Sequence, residues 1–112
     1  MKVLVTGANG LLGQKLVPLL QSKGHHVLAT GKGENRNALS THYTTMDITN
    51  ANEVMQVVTD FAPDWVVNTA AMTNVDQCET DKENCRAQNV DAVAYQIAAA
   101  KAVGSKLLHL ST

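Results

Sequence analysis

Positive charge is in short supply in this sequence. Nine Lys and Arg stand against 10 Asp and Glu, the formal net charge is −1, and the 17% of charged residues include no basic block. Such a chain offers no surface for nucleic acid or an anionic membrane as its main partner. Long apolar runs are missing as well. No segment approaches the ~20 residues needed to span a bilayer. One lysine and a few apolar residues before Thr6 make no secretory leader. Cysteine is scarce: Cys78 and Cys85 lie in a polar stretch, at a spacing that suits neither a CxxC redox pair nor a zinc knuckle. The four histidines, His25, His26, His42 and His109, share no metal-ligand spacing with them. These absences point to a cytoplasmic protein with reduced thiols and no metal site.

What the chain does have is one organising stretch, Thr6-Gly7-Ala8-Asn9-Gly10-Leu11-Leu12-Gly13-Gln14. An apolar run, Val3-Leu4-Val5, precedes it and reads as a buried parallel strand. Leu16, Val17, Leu19 and Leu20 follow at helical spacing. The glycines therefore sit where a strand turns into a helix. Gly7 permits a tight turn, Gly10 leaves room for a phosphate beside the backbone, and Gly13 lets the helix pack close on the sheet. The free amides of the helix start and the positive end of its dipole face a pyrophosphate. A glycine triplet alone could be a plain turn; the flanking strand and helix supply the context of a nucleotide site.

The 112 residues suffice for one domain with one core, and 45% hydrophobic content is ordinary for a globular protein. Strands are expected at Lys2–Thr6, His26–Thr30, His42–Met46, Trp65–Asn68 and Lys106–Leu110. Helices are expected from Leu11 to about Lys23, from Ala51 to about Phe61 and from about Thr80 to Val103, the last interrupted early. Pro18 should kink or loosen the first helix, Gly24 and Gly104 should end helices, and Asn50 is a good N-cap. A polar loop at 31–37, a brief helical turn at 38–41 and a small-residue loop at 69–76 join them. Strands alternating with helices imply right-handed crossovers and a parallel sheet. The expected fold is α/β, a Rossmann-like doubly wound sheet of order 3-2-1-4-5, truncated after the fifth strand. Residues 1–112 would be one incomplete NAD(P)-binding domain.

The stretches TGANGLLGQ, DIT, PDWVVNTAAMTNVDQCE and AVGSKLLHLST resemble the extended short-chain dehydrogenase/reductase family. The resemblance covers the whole of this chain but only the N-terminal part of such a protein. It implies that the turn from Gly7 through Asn9, Gly10, Leu11, Leu12 and Gly13 binds the cofactor, its three glycines at the pyrophosphate. It implies that Asp47 and Ile48 edge the adenine, with a simple turn carboxylate as the alternative for Asp47. Ala70 and Ala71 would let the nicotinamide half lie close to the backbone, and Asn68 would brace the end of the fourth strand. Thr73 would bond near the ribose or substrate, or serve only as a turn residue. Thr112 would be catalytic, its hydroxyl on the substrate carbonyl oxygen where negative charge develops. Asn89 would support the site or merely face solvent. The family's proton donor is a tyrosine followed four residues on by a lysine. Neither Tyr43 nor Tyr95 has that lysine, so the tyrosine helix and a substrate domain would follow Thr112, and the 112 residues alone would be inactive.

Enzymes of this fold that prefer NAD place an acid at the end of the second strand. Here that place holds Thr30 or Gly31, and Lys32 and Arg36 follow. Those cations favour the 2′-phosphate of NADP(H), with NAD(H) as the alternative; Glu34 could act as the acid if the loop folds back. The resemblance then implies the cofactor-binding part of an NADP(H)-dependent reductase of a nucleotide-activated 4-keto-deoxysugar, with a homodimer among the expected assemblies. Two other readings remain open: a sugar-nucleotide epimerase or dehydratase that uses NAD, and a non-catalytic dinucleotide-binding regulatory subunit.

Overall fold

The computed structural model describes residues 1–33, 42–69, 82 and 90–109. Strands β1 (Lys2–Thr6), β2 (His26–Gly31), β3 (Tyr43–Thr45), β4 (Trp65–Asn68) and β5 (Lys106–His109) form one sheet in the order β3-β2-β1-β4-β5. Each neighbouring pair is parallel, with Leu4 opposite Leu28 on one side and Val66 on the other. Helices α1 (Leu11–Ser22), α2 (Ala51–Phe61) and α3 (Ala92–Val103) make the crossovers. The expected Rossmann-like order is therefore the observed one.

Alternation along β1 explains the layers. Val3 and Val5 point to one face, where they pack with Val27, Ala29 and Val67 against Ala8 and Val17. Leu4 and Val66 point to the other, against Met46, Val54, Val58, Ala99 and Ala100. The part of a strand covered on both faces must be apolar, as Val3-Leu4-Val5 is. Each helix supplies its stripe at the helical period: Gly13, Leu16, Val17 and Leu20 on α1, and Val54, Val57, Val58 and Phe61 on α2. Burying Val17 completely contributes roughly 1.5–3 kcal/mol.

Several boundaries differ from the sequence reading by a residue or so. β2 runs on to Gly31 and β3 is limited to Tyr43–Thr45. The helix α1 continues unbroken through Pro18, although a kink or a loosened turn is the sequence expectation. It ends at Ser22, and Gly24 follows in the left-handed region at φ +87°. Asn50 caps α2, its side-chain oxygen accepting from the Glu53 amide at 3.2 Å. The helix stops at Ala62, which takes the left-handed conformation at φ +49° just before Pro63. Asp91, ahead of α3, is already helical at φ −66° and ψ −41°. The earlier part of that helix, the turn at 38–41, most of the 69–76 loop and Leu110 lie outside the described residues.

α1 approaches the turn before it very closely. A Cβ added to Gly13 would lie 2.6 Å from the Ala8 Cα. Alanine in a helix gains about 1 kcal/mol over glycine, while overpacking against rigid atoms costs typically 1–3 kcal/mol. Backbone cannot rotate away as a side chain can, so the clash wins. Gly13→Ala is expected to destabilise the fold, by up to about 2 kcal/mol in urea unfolding; an unchanged midpoint would show that α1 can slide outward freely.

Candidate functional site

The carboxyl ends of the strands gather the polar groups. At the end of β1 the chain turns through Gly7, whose φ of +71° suits glycine. The Gly10 amide donates back to the Gly7 carbonyl at 3.0 Å. Gly10 is the N-cap residue of α1, and the first helical bond runs from the Gln14 amide to the Gly10 carbonyl at 2.9 Å. The amides of Leu11, Leu12 and Gly13 thus precede the helical ladder, as the first amides of any helix do. No acidic residue stands in the first turn. The arrangement fits an anion. Leu11, 86% exposed, and Leu12 lie open at the same place.

The turn is tied to both neighbouring strands. Ala8 donates its amide to Thr30 O at 2.9 Å on the β2 side. On the β4 side the Thr69 hydroxyl donates to Thr6 O at 2.6 Å, with Gly7 O at 3.1 Å. Asn9 reaches across to the segment after β2. Its Nδ2 donates to the Tyr43 hydroxyl at 3.1 Å and to Lys32 O at 3.4 Å, while Gln14 Nε2 donates to Asn9 O at 2.6 Å. Lys32 itself is exposed.

Asp47 and Ile48 stand after β3. The Asp47 carboxylate accepts from the Thr49 hydroxyl at 2.6 Å and the Thr49 amide at 2.9 Å. The Thr49 hydroxyl, then its amide, hold the carboxyl below its ordinary range; partial burial opposes them and the nearby Lys32 charge adds to them. This is the geometry of a turn carboxylate, and it also leaves Asp47 beside Lys32. Ile48 packs its inner side on the Leu4–Met46 cluster and stays half-buried.

Asn68 closes β4 in a buried polar seam. Thr6 donates its hydroxyl to Asn68 Oδ1 at 2.6 Å, and Asn68 Nδ2 lies 2.9 Å from His109 Nδ1. With Asn68 donating there, the His109 ring carries its proton on Nε2. Gln96 of α3 is fully buried, with its amide 3.3 Å from the Thr6 hydroxyl. Thr6 has one proton and Asn68 takes it, so the Gln96 nitrogen is better placed facing the Thr6 lone pair. As placed, the Gln96 Nε2 has no partner among the described residues.

The structure brings Gly7, Asn9, Gly10, Leu11, Leu12, Gly13, Lys32, Asp47, Ile48 and Asn68 to one end of the sheet. Arg36, Ala70, Ala71, Thr73, Asn89 and Thr112 lie outside the described residues, as do both cysteines. Sequence reasoning passed over Tyr43, Thr45, Thr6, Gln96 and His109. Thr6 alone carried a signal, as the last residue of the strand that feeds the glycine turn.

A parallel 3-2-1-4-5 sheet with a glycine turn between β1 and α1 defines a Rossmann-like fold of the reductase and epimerase type. The pattern of the RmlD substrate binding domain family matches residues 1–112, and the chain belongs to that family. It is 39% identical over 109 residues to a dTDP-4-dehydrorhamnose reductase of Streptomyces griseus, which covers 97% of this chain and 32% of that protein. The solved dTDP-4-dehydrorhamnose reductase of Bacillus anthracis in complex with NADP is 29% identical, with a TM-score of 0.77 over 95% of this chain and 34% of its own. The UDP-glucose 4-epimerase of Thermus thermophilus in complex with NAD is 25% identical, with a TM-score of 0.88 over 96% of this chain and 36% of its own. The chain spans about a third of the length of the curated relatives it matches. No helix among the described residues is long and apolar enough to cross a membrane.

The Asp47 turn can be tested directly. Thr49→Val removes the hydroxyl bond and should move the Asp47 carboxyl up toward its ordinary range. A carboxyl lowered in the folded state stabilises the fold above the unfolded value of ~3.9, and that contribution is lost as pH falls through the folded value. The variant should therefore be less stable at neutral pH and should lose less on acidification. Carboxyl 13C NMR titration with urea unfolding at pH 7 and pH 3 would check both; an unmoved Asp47 titration would rule the hydroxyl out as the cause.

Proposed function

We propose that residues 1–112 are the cofactor-binding part of an NADP(H)-dependent reductase acting on a nucleotide-activated 4-keto-deoxysugar. The observation that carries this reading is the glycine turn opening onto α1 with no acid in its first turn and none at the end of β2, where Lys32 follows Gly31. The NADP complex of the Bacillus anthracis relative supports it. The amides of Leu11, Leu12 and Gly13 would bind the pyrophosphate, with Gly10 leaving room for it. Lys32, with Arg36 four residues on, would hold a 2′-phosphate. Asp47 and Ile48 would border the adenine, Ala70, Ala71 and Thr73 the nicotinamide half, and Asn68 would keep the β4 end in register. The bound nicotinamide supplies the hydride. Thr112 would orient the substrate's carbonyl oxygen by a hydrogen bond that strengthens as negative charge develops there. A tyrosine beyond this segment would deliver the proton. The substrate is thus a nucleotide-sugar, and the setting we propose is cytoplasmic.

A charge-assisted contact to the 2′-phosphate is worth roughly 1.5–3 kcal/mol, or about one to two decades in affinity. Fluorescence titration of the full-length protein should therefore show NADPH bound about 10- to 100-fold more tightly than NADH. Equal affinity, or tighter NADH, would overturn the NADP assignment and favour an epimerase-like enzyme that recycles NAD, as the Thermus thermophilus likeness suggests.

A second test targets the pyrophosphate. Gly10 has φ −77°, which any residue adopts, and among the described residues a Cβ there would meet only the Gly7 carbonyl oxygen, at 3.4 Å. Gly10→Val should leave the circular dichroism spectrum unchanged and abolish dinucleotide binding by calorimetry. Binding retained by the folded variant would reduce Gly10 to a turn residue.

A further inference from the structure

We propose that Tyr43 is a positioning residue for cofactor choice, acting through Lys32. The inference rests on the reading above, in which Lys32 meets the 2′-substituent of the cofactor.

Lys32 lies between two glycines. Gly33 has φ +82°, and among the described residues no atom lies within 4 Å of where its Cβ would be. A segment of this kind has many conformations open to it and loses much entropy when held in one. Here it is held by side chains from two other elements. The Tyr43 hydroxyl, at the start of β3, donates to Gly33 O at 2.8 Å and accepts from Asn9 Nδ2 at 3.1 Å. Thr45 Oγ1 donates to the same Gly33 oxygen at 3.1 Å. Asn9 also donates to Lys32 O at 3.4 Å. The Tyr43 hydroxyl thus joins the phosphate turn to the backbone on the far side of Lys32.

Gly31 shows that the join is tightly fitted. A Cβ at Gly31 would stand 2.8 Å from Asn9 Nδ2 and 3.1 Å from the Tyr43 oxygen. The absence of a side chain at Gly31 is what lets Asn9 and Tyr43 meet. Lys32 is exposed, so packing around its ammonium does not set where it sits. Its backbone is held by Asn9 on Lys32 O and by the Tyr43 and Thr45 hydroxyls on Gly33 O, and the Tyr43 hydroxyl links the two by bonding both Asn9 and Gly33 O. The Tyr43 ring packs on the Val3–Val17 cluster, so removing the hydroxyl leaves its apolar support in place.

Losing the hydroxyl should release Lys32 while leaving the glycine turn and its amides intact. The consequence is selective. The 2′-phosphate contact weakens and the pyrophosphate contact does not, so discrimination between the two cofactors falls rather than dinucleotide binding as a whole.

The test is a double-mutant cycle on the full-length protein: wild type, Tyr43→Phe, Lys32→Ala and the pair, each titrated with NADPH and with NADH, with folding followed by thermal unfolding. Tyr43→Phe is expected to lower the NADPH-over-NADH preference by about three- to tenfold, as the loss of one neutral hydrogen bond would, with NADH affinity changed less than twofold. The pair should lose no more preference than Lys32→Ala alone, since both changes act on one contact. Equal weakening of both cofactors by Tyr43→Phe, or additive losses in the pair, would overturn the proposal and make Tyr43 a general support of the fold. If Tyr43→Phe unfolds early, Thr45→Val, which removes the second donor to Gly33 O, carries the same expectation in smaller degree, and an unchanged preference there overturns it. A wild type without NADPH preference would overturn the NADP reading itself; a wild type that prefers NADPH with a Tyr43→Phe variant that prefers it equally would overturn the Tyr43 inference alone.

Discussion

The near contact between α1 and the turn that precedes it governs the whole ligand end of the sheet. With no side chain at Gly13, the helix can start directly over Ala8, and its first amides are aimed outward from the strand end. Held there, the turn can be stitched on both sides at once, to Thr30 O through the Ala8 amide and to the Thr69 hydroxyl through the carbonyls of Thr6 and Gly7. A helix displaced by one methyl group would have to lift the turn away from one of these partners. The aim of these amides is thus a consequence of packing, and the helix dipole points where the packing directs it.

The sheet changes character along its length. In the middle it is apolar on both faces, and at the carboxyl ends of β1, β2 and β4 it buries Thr6, Thr30 and Asn68. Burying such groups unpaired would cost roughly 1–3 kcal/mol each, and the fold answers with specific partners. Thr30 donates to Val5 O at 2.9 Å, and Thr6 and Asn68 bond each other across β1 and β4. These bonds hold adjacent strands level at the edge where a parallel sheet of this order offers its crevice. Gln96 is the exception, with one amide atom short of a partner among the described residues. A buried glutamine at that position suits specificity of arrangement more than stability, since a leucine would bury the same volume without an unpaired polar atom.

By itself the sequence determined the order and type of the elements. Periodicity is a local property: Val3-Leu4-Val5 before Gly7, the run Leu16, Val17, Leu19 and Leu20 after it, of which Leu19 stands exposed, and the cap at Asn50 each need only neighbours in the chain to be read. Alternation of strand and helix then left few topologies, and the observed order 3-2-1-4-5 is among those that right-handed crossovers allow. Gly10 and Gly13 were legible for the same reason, since a strand–glycine–helix junction is written within a dozen residues. Tertiary structure alone decided what the polar side chains do. Asn9 meets Tyr43 across 34 residues, Thr6 meets Asn68 across 62 and Gln96 across 90. Nothing in the spacing of a tyrosine in a three-residue strand, or of a glutamine in an alanine-rich helix, marks it for such a partner. A hydrogen bond depends on a distance of about 3 Å in space, and only the register of the strands brings those atoms that near.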